Sequence, residues 1–147
     1  SLFEGGIRVP AAITWPNKIQ KGAIRNQFGV NSDWMPTLAE LCGIKLDLQD
    51  LDGKSLVSII HNETEKTKHT EGYCWQYQDM WVARKGHWKL LGNPRDTSKK
   101  TYKLKEKRFL VNLDDDISET KNLAKKYPNK VVELENQYRN WLIKNKK

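Results

Sequence analysis

A chain of 147 residues is about one domain's worth of sequence, long enough to bury a core, and its modest 37% hydrophobic fraction leaves six Trp, five Tyr and three Phe to carry much of it. Charge is placed unevenly. Residues 1–68 balance eight basic against eight acidic side chains, whereas residues 69–147 hold eighteen against ten and so carry the whole net charge of +8, making polyanions the natural partners of the second half. The sequence opens without an initiator Met, and it shows no leader pattern and no apolar run of membrane-spanning length, so it is expected to start part-way along a longer chain.

In chain order, Gly5-Gly6 permits a tight bend or a close backbone approach. Val9 to Trp15 is short, apolar, rich in β-branched and aromatic residues and bracketed by Pro10 and Pro16, which predicts a strand covered on both faces. No second apolar strand follows within the first seventy residues, so its sheet is expected in sequence outside this chain. A polar connection, Asn17 to Asn26, leads to a helix entered at Ser32 or Asp33, tolerant of Pro36 in its first turn and stopped by Gly43. Asp33 is read as its cap, with Trp34, Leu38 and Leu41 as a stripe packed on the orphan strand. His61 to His69 is polar and aperiodic and marks a boundary.

Beyond it, Glu71–Tyr77, Trp81–Arg84 and His87–Leu91 read as an antiparallel meander with Lys85-Gly86 as a two-residue turn. A fourth strand, Arg108–Leu113, follows a long basic excursion, Asn93–Lys107. Asp114-Asp115-Asp116 reads as a turn and helix entry capped by Ser118, because it lacks the Gly turn and distant Glu of a dedicated calcium loop. The last helix is predicted from Pro128 to Lys144, with Val131, Leu134, Tyr138, Trp141 and Leu142 as a stripe across the sheet. Cys42 and Cys74 make no metal-ligand spacing and are read as buried free thiols. Asn62-Glu63-Thr64 fits an N-glycosylation acceptor that would matter only in a eukaryotic secretory setting.

Phe3-Glu4-Gly5-Gly6-Ile7-Arg8-Val9-Pro10 resembles the Glu-Gly-Gly-x-Arg-Val-Pro segment of the formylglycine-dependent sulfatases. Four later stretches resemble that family in the same order. Asp33-Trp34-Met35-Pro36-Thr37-Leu38 and Leu51-Asp52-Gly53-Lys54-Ser55-Leu56 come first, then the Trp81–Leu90 hairpin and the Phe109–Ala124 signature, in which Ile117 stands where the family usually has Pro. The resemblance implies an α+β chain. Residues 1–68 would supply the last strand and helix of the large α/β sulfatase domain, incomplete here, and residues 69–147 a C-terminal subdomain of four antiparallel strands and a long helix.

The resemblance also implies a parent enzyme, a sulfuric ester hydrolase whose formylglycine hydrate attacks sulfur while calcium and basic residues hold the sulfate. Cys42 precedes Gly43-Ile44-Lys45 and Cys74 precedes Trp75-Gln76-Tyr77, and neither matches the Cys/Ser-x-Pro/Ala-x-Arg precursor motif. Nucleophile, calcium carboxylates and proton-transfer histidines are therefore expected in the N-terminal part of the same sulfatase, with no catalytic residue or metal ligand here and neither cofactor bound by this segment. His61, His69 and His87 are read as surface or hairpin histidines.

The family segment matching Trp75-Gln76-Tyr77-Gln78 implies substrate contact beyond the sulfate. Gln76, Tyr77, Gln78 and Trp81 are accordingly the candidate substrate-binding residues, suited to sugar hydroxyls and ring planes. A sulfated glycan is the expected substrate, and a periplasmic or secreted setting is implied. The alternatives are a noncatalytic carbohydrate-binding module using exposed Trp and Tyr, or a polyanion-binding module built on Lys99, Lys100, Lys103, Lys105, Lys107 and Arg108 near Tyr102. Nucleic acid is not expected, since no helix-turn-helix, ribonucleoprotein or zinc pattern supports base readout. Neither is a membrane.

Overall fold

The computed structural model describes residues 1–47, 51–95 and 106–145. The chain forms two compact units, one of residues 11–70 and one in which residues 1–10 join residues 71–147. The basic excursion falls largely on residues 96–105, outside the described residues, so the cluster read as a polyanion site is not part of the account below.

The larger unit is built on β1 (Tyr73–Tyr77), β2 (Met80–Lys85), β3 (Trp88–Gly92) and β4 (Arg108–Asn112). They form an antiparallel sheet in the order β1-β2-β3-β4, the meander that the alternating pattern predicts. The β2–β3 turn is Gly86-His87 rather than Lys85-Gly86, because Lys85 pairs with Trp88 and Gly86 takes the left-handed φ of 59° that the tight turn demands. Helix α4 (Pro128–Asn145) crosses the sheet. Leu134 and Tyr138 are buried against Cys74, Trp81, Leu90 and Leu110, with Val131, Trp141 and Leu142 around them. That is the predicted stripe, and each fully buried apolar side chain in it is worth about 1.5–3 kcal/mol.

Trp81 lies flat between Tyr138, whose ring stacks on it at 4.2 Å and 5°, and the backbone of its cross-strand partner Gly92. A Cβ on Gly92 would sit 1.9 Å from the indole, so only glycine allows that approach.

The opposite face of the sheet is covered too. Met80, Val82, Leu91, Phe109 and Val111 pack there beneath Leu2, with Phe3 and Ile7 alongside. Leu2, Phe3 and Ile7 belong to a short N-terminal segment with one helical turn, α1 (Glu4–Ile7), in which a Cβ on Gly6 would sit 2.7 Å from the Ser1 carbonyl oxygen, the close backbone approach expected of the Gly-Gly pair. The predicted strand Val9–Trp15 does not form. Val9 is 77% exposed, and residues 8–15 make no ladder; the pattern places the sheet that would cover them outside this chain.

In the smaller unit, a single 3-10 turn at Asn31–Asp33 enters α2 (Trp34–Leu41), and α3 (Val57–His61) packs nearby. The buried face of α2 is Pro36, Thr37 and Ala39, while Leu38 is 51% exposed. The predicted stripe of Trp34, Leu38 and Leu41 therefore lacks its partner, since the strand meant to cover it is absent. Cys42, expected to be buried, is exposed at the end of α2, whereas Cys74 is buried and its thiol pushed up to about 11 by burial. Both are free thiols.

Candidate functional site

Two constellations of polar side chains stand out, and each sits in its own unit. In the larger one, Lys89 is wholly buried on the face of β3 that meets the N-terminal segment. Its Nζ donates to Glu4 Oε1 at 2.8 Å and lies 2.9 Å from Glu119 Oε1. Glu119 also accepts the backbone N–H of Glu4, so both carboxylates and the first turn of α1 are tied to one ammonium. Burial raises the Glu119 pKa, and the attraction of Lys89 offsets only part of that, leaving it above the usual 4.5. Glu119 holds a left-handed φ of 53°, which turns its side chain back under the sheet. The device fixes the backbone leading through Gly5-Gly6 to Arg8.

In the smaller unit, Asp33 has no exposed surface. It does not cap α2; its carboxylate instead accepts from the Val30 and Lys54 amides at 2.8 and 2.7 Å. His69 Nε2 reaches both carboxylate oxygens at 2.9 and 3.0 Å, so that nitrogen carries the shared proton. Burial pushes the Asp33 carboxyl up, but the bonds from His69, Lys54 and Val30 outweigh it and its pKa lies below 3.8. His69, expected at the surface, is thus a buried fastener. Thr37 extends the network, donating to the Asp33 carbonyl and accepting from the Leu56 amide.

The sequence-predicted substrate residues gather around the β1–β2 turn. Gln76 Nε2 donates to the Gln78 carbonyl, and its Oε1 accepts from the Tyr138 hydroxyl, so both ends of that amide are engaged within the fold. Tyr77 projects from the other face and is 59% exposed. Gln78 occupies a left-handed turn position, φ 56°, beside Asp79. Asp79 is held by Arg95 through its carboxylate and by Asn93 through its carbonyl. Trp81 lies buried beneath Tyr138 with the Arg108 guanidinium 4.9 Å from its ring centroid, and so packs the core instead of lining the turn.

The acidic run does not fit a calcium ion. Asp116 spends an oxygen on the Thr120 and Lys121 amides, which places the turn cap there rather than at Ser118, and no helix follows until Pro128. Asp115 accepts from Asn112, and Asp114 faces His87 at 3.5 Å. No group of three or more possible metal ligands gathers among the described residues.

The profile of the family described as N-sulphoglucosamine sulphohydrolase, C-terminal, matches residues 1–147. This chain belongs to that sulfatase family. A protein named sulfatase from Formosa agariphila is 31% identical over 99% of this chain, which spans 29% of the relative's length. Arylsulfatase A of Bos taurus is 32% identical over 60% of the chain and 18% of its own. Among solved structures, one from work on the metabolism of multiple glycosaminoglycans by Bacteroides thetaiotaomicron aligns at TM-score 0.56 and 23% identity, covering 74% of this chain and 24% of that one. Another, bound to its substrate D-glucosamine-2-N,6-O-disulfate, aligns at TM-score 0.51 and 19% identity with the same coverage. The sulfatase C-terminal portion thus has the expected fold, an antiparallel sheet of four strands with a long C-terminal helix.

Proposed function

We propose that this chain completes a hydrolase of sulfate esters carried on a glycan, closing the catalytic domain and walling one side of the substrate pocket. The observation that carries the reading is the family match over the whole chain together with the buried tie from Lys89 to Glu4 and Glu119. That tie joins the Glu-Gly-Gly-x-Arg segment to the subdomain sheet as one rigid piece. The family's calcium and formylglycine would be supplied outside the residues described here, and so would the nucleophile. The relative solved with a disulfated glucosamine supports a sulfated sugar as the substrate class. The enzyme would work in the periplasm or outside the cell.

At the turn, Tyr77 and Gln78 would meet the sugar beyond its sulfate, with Gln76 holding the turn's shape from behind and Trp81 supporting it from the core. The parent gene should encode a Cys/Ser-x-Pro/Ala-x-Arg motif upstream of Ser1. The parent enzyme should hydrolyse a small aryl sulfate. In it, Tyr77→Phe and Gln78→Ala should each lower turnover of a sulfated glycan about tenfold, roughly one hydrogen bond to a partner left unpaired, while sparing the aryl sulfate. Absence of the motif, or no sulfate-ester turnover by the parent, would refute the reading.

A further inference from the structure

Asn62-Glu63-Thr64 is the only Asn-x-Ser/Thr triplet in the chain, and neither Glu63 nor the following Glu65 is replaced by proline. The fold puts it directly after α3, where the Asn62 amide donates to the Ser58 carbonyl and the backbone then turns extended, with φ −138° and ψ 118°. Asn62, Glu63 and Thr64 are all exposed. The side chain is also arranged. Asn62 Oδ1 accepts from the Thr64 amide at 3.0 Å and from the Thr64 hydroxyl at 2.9 Å, so the hydroxyl of the third residue is folded back onto the carboxamide of the first. Both bonds fall on the oxygen, and Asn62 Nδ2 bonds to nothing among the described residues.

A carboxamide nitrogen is a weak nucleophile, because its lone pair is delocalised into the carbonyl. Two donors on the oxygen stabilise the form that has lost an N–H proton, which is the form able to attack. The turn that holds this arrangement has a fixed seat. Gln27 Nε2 donates to the Glu63 and Glu65 carbonyls at 2.7 and 2.9 Å, while Arg25 donates to the Ile59 and Ile60 carbonyls at the end of α3. Beside the turn, Ile24, Asn26, Gln27, Glu63 and Thr64 line an open hollow of about 600 Å³. A group attached at Asn62 therefore has room, with Ile24, 77% exposed, as apolar surface to rest on.

We infer that Asn62 is an acceptor for N-linked glycosylation in the folded chain. The donor is an oligosaccharide carried on a lipid pyrophosphate and presented by a membrane oligosaccharyltransferase during export. In the transfer, a bond forms from Asn62 Nδ2 to the anomeric carbon of the first sugar as that carbon's bond to the pyrophosphate oxygen breaks. The pyrophosphate leaves with the electron pair and one Nδ2 proton passes to a base of the transferase, so nothing is oxidised or reduced. The inference is independent of what the parent enzyme hydrolyses and shares with that reading only the export of the chain.

The test incubates the folded 147-residue chain with a single-subunit oligosaccharyltransferase and a chitobiosyl lipid pyrophosphate, and reads intact mass and peptide maps. A peptide of residues 57–69 reports the same sequence without the fold. The chain should gain one glycan, on Asn62, at a rate within about tenfold of the peptide's. Thr64→Ser keeps the hydroxyl and should stay within about tenfold of the parent, whereas Asn62→Gln and Thr64→Ala should each abolish transfer. Unchanged urea midpoints for the three variants show that the losses are not unfolding. Two results overturn the inference: a folded chain left unmodified while a standard acceptor peptide is glycosylated in the same assay, or Thr64→Ala modified at the parent's rate. Aryl sulfate turnover by the parent enzyme tests the hydrolase reading separately, and neither result bears on the other.

Discussion

Lys89→Met is the sharpest test of how the larger unit is held together. Methionine matches the length and most of the volume of lysine but leaves Glu4 and Glu119, at 7% exposure each, with no cation between them. Breaking a buried pair by removing one partner costs about 3–5 kcal/mol, because the charge left behind is uncompensated. Against a typical domain stability of about 5–15 kcal/mol, that is a large fraction. With a urea slope of about 2 kcal/mol per molar, the unfolding midpoint should fall by about 2 M. Far-UV circular dichroism follows the loss, and hydrogen exchange at Leu90 and Leu91 localises it to β3. The triple variant Glu4→Gln, Lys89→Met, Glu119→Gln should recover most of the midpoint, since its core is shape-matched and neutral.

The pH dependence follows from Glu119. Its folded pKa is raised above 4.5 by burial, so in the folded state it holds its proton to higher pH than in the unfolded chain. That contribution to stability is complete below 4.5 and is lost as pH rises through the folded value. Without Lys89 the folded value rises further, so the deficit of Lys89→Met should be smaller at about pH 4 than at about pH 8. A deficit below about 1 kcal/mol, the scale of an exposed ion pair, or one that grows toward acid, would refute the reasoning.

Gly92→Ala should destabilise the sheet by at least about 1–3 kcal/mol, because its methyl collides with a Trp81 indole that Tyr138 holds from the other side; a neutral result by thermal melting would contradict that packing. Asp33→Ala should lower the stability of the smaller unit by about 3 kcal/mol or more in urea, since it strands the Val30 and Lys54 amides and His69 together. Because the folded pKa of Asp33 is depressed below 3.8, its contribution is present above that value and lost as pH falls through the folded one, which an acid titration of the parent against Asp33→Asn measures. In a proven monomer, amides 131–142 of α4 should exchange far more slowly than amides 9–15, which lack ladder bonds. The 147-residue chain alone should give no aryl sulfate turnover in a calcium-containing assay, and activity that copurifies with it would overturn the placement of the nucleophile elsewhere.

What was legible in the sequence was what local pattern encodes. Alternation in Tyr73–Tyr77, the glycine between β2 and β3, and the 3.6-residue stripe of α4 each specify an element whose partners lie close along the chain. Val9–Trp15 makes no ladder, since a composition that suits burial does not itself supply the neighbouring strands, which the pattern places outside this chain. Asp33 departs from the cap its sequence context predicts for a related reason. The sequence Ser-Asp-Trp-Met-Pro signals a helix entry, which is correct, but the carboxylate is taken by donors 21 and 36 residues further on. The motif that marks Gln76 and Trp81 carries no information about α4. Tyr138, 62 residues beyond Gln76, claims one by hydrogen bond and the other by stacking.

Lys89 was missed although a signal was present. Its partners lie 85 and 30 residues away, too far for any spacing rule, and a lysine in Trp-Lys-Leu-Leu reads as the solvent side of an alternating strand. Yet β3 is an inner strand buried from Lys89 to Gly92, with α4 on one face and the N-terminal segment on the other. A strand with no solvent face cannot hold a lysine without carboxylates waiting for it. The same requirement fixes register. A slip of one residue would turn Lys89 under α4 toward Leu110 and Leu134 and set Leu90 against Glu4 and Glu119, exchanging one satisfied charge cluster for three unsatisfied charges. The ion cluster therefore contributes more to the choice of one pairing over its neighbours than to net stability. The triple neutral variant, if as stable as the parent, should show that loss of choice as added heterogeneity in the β3 amide resonances.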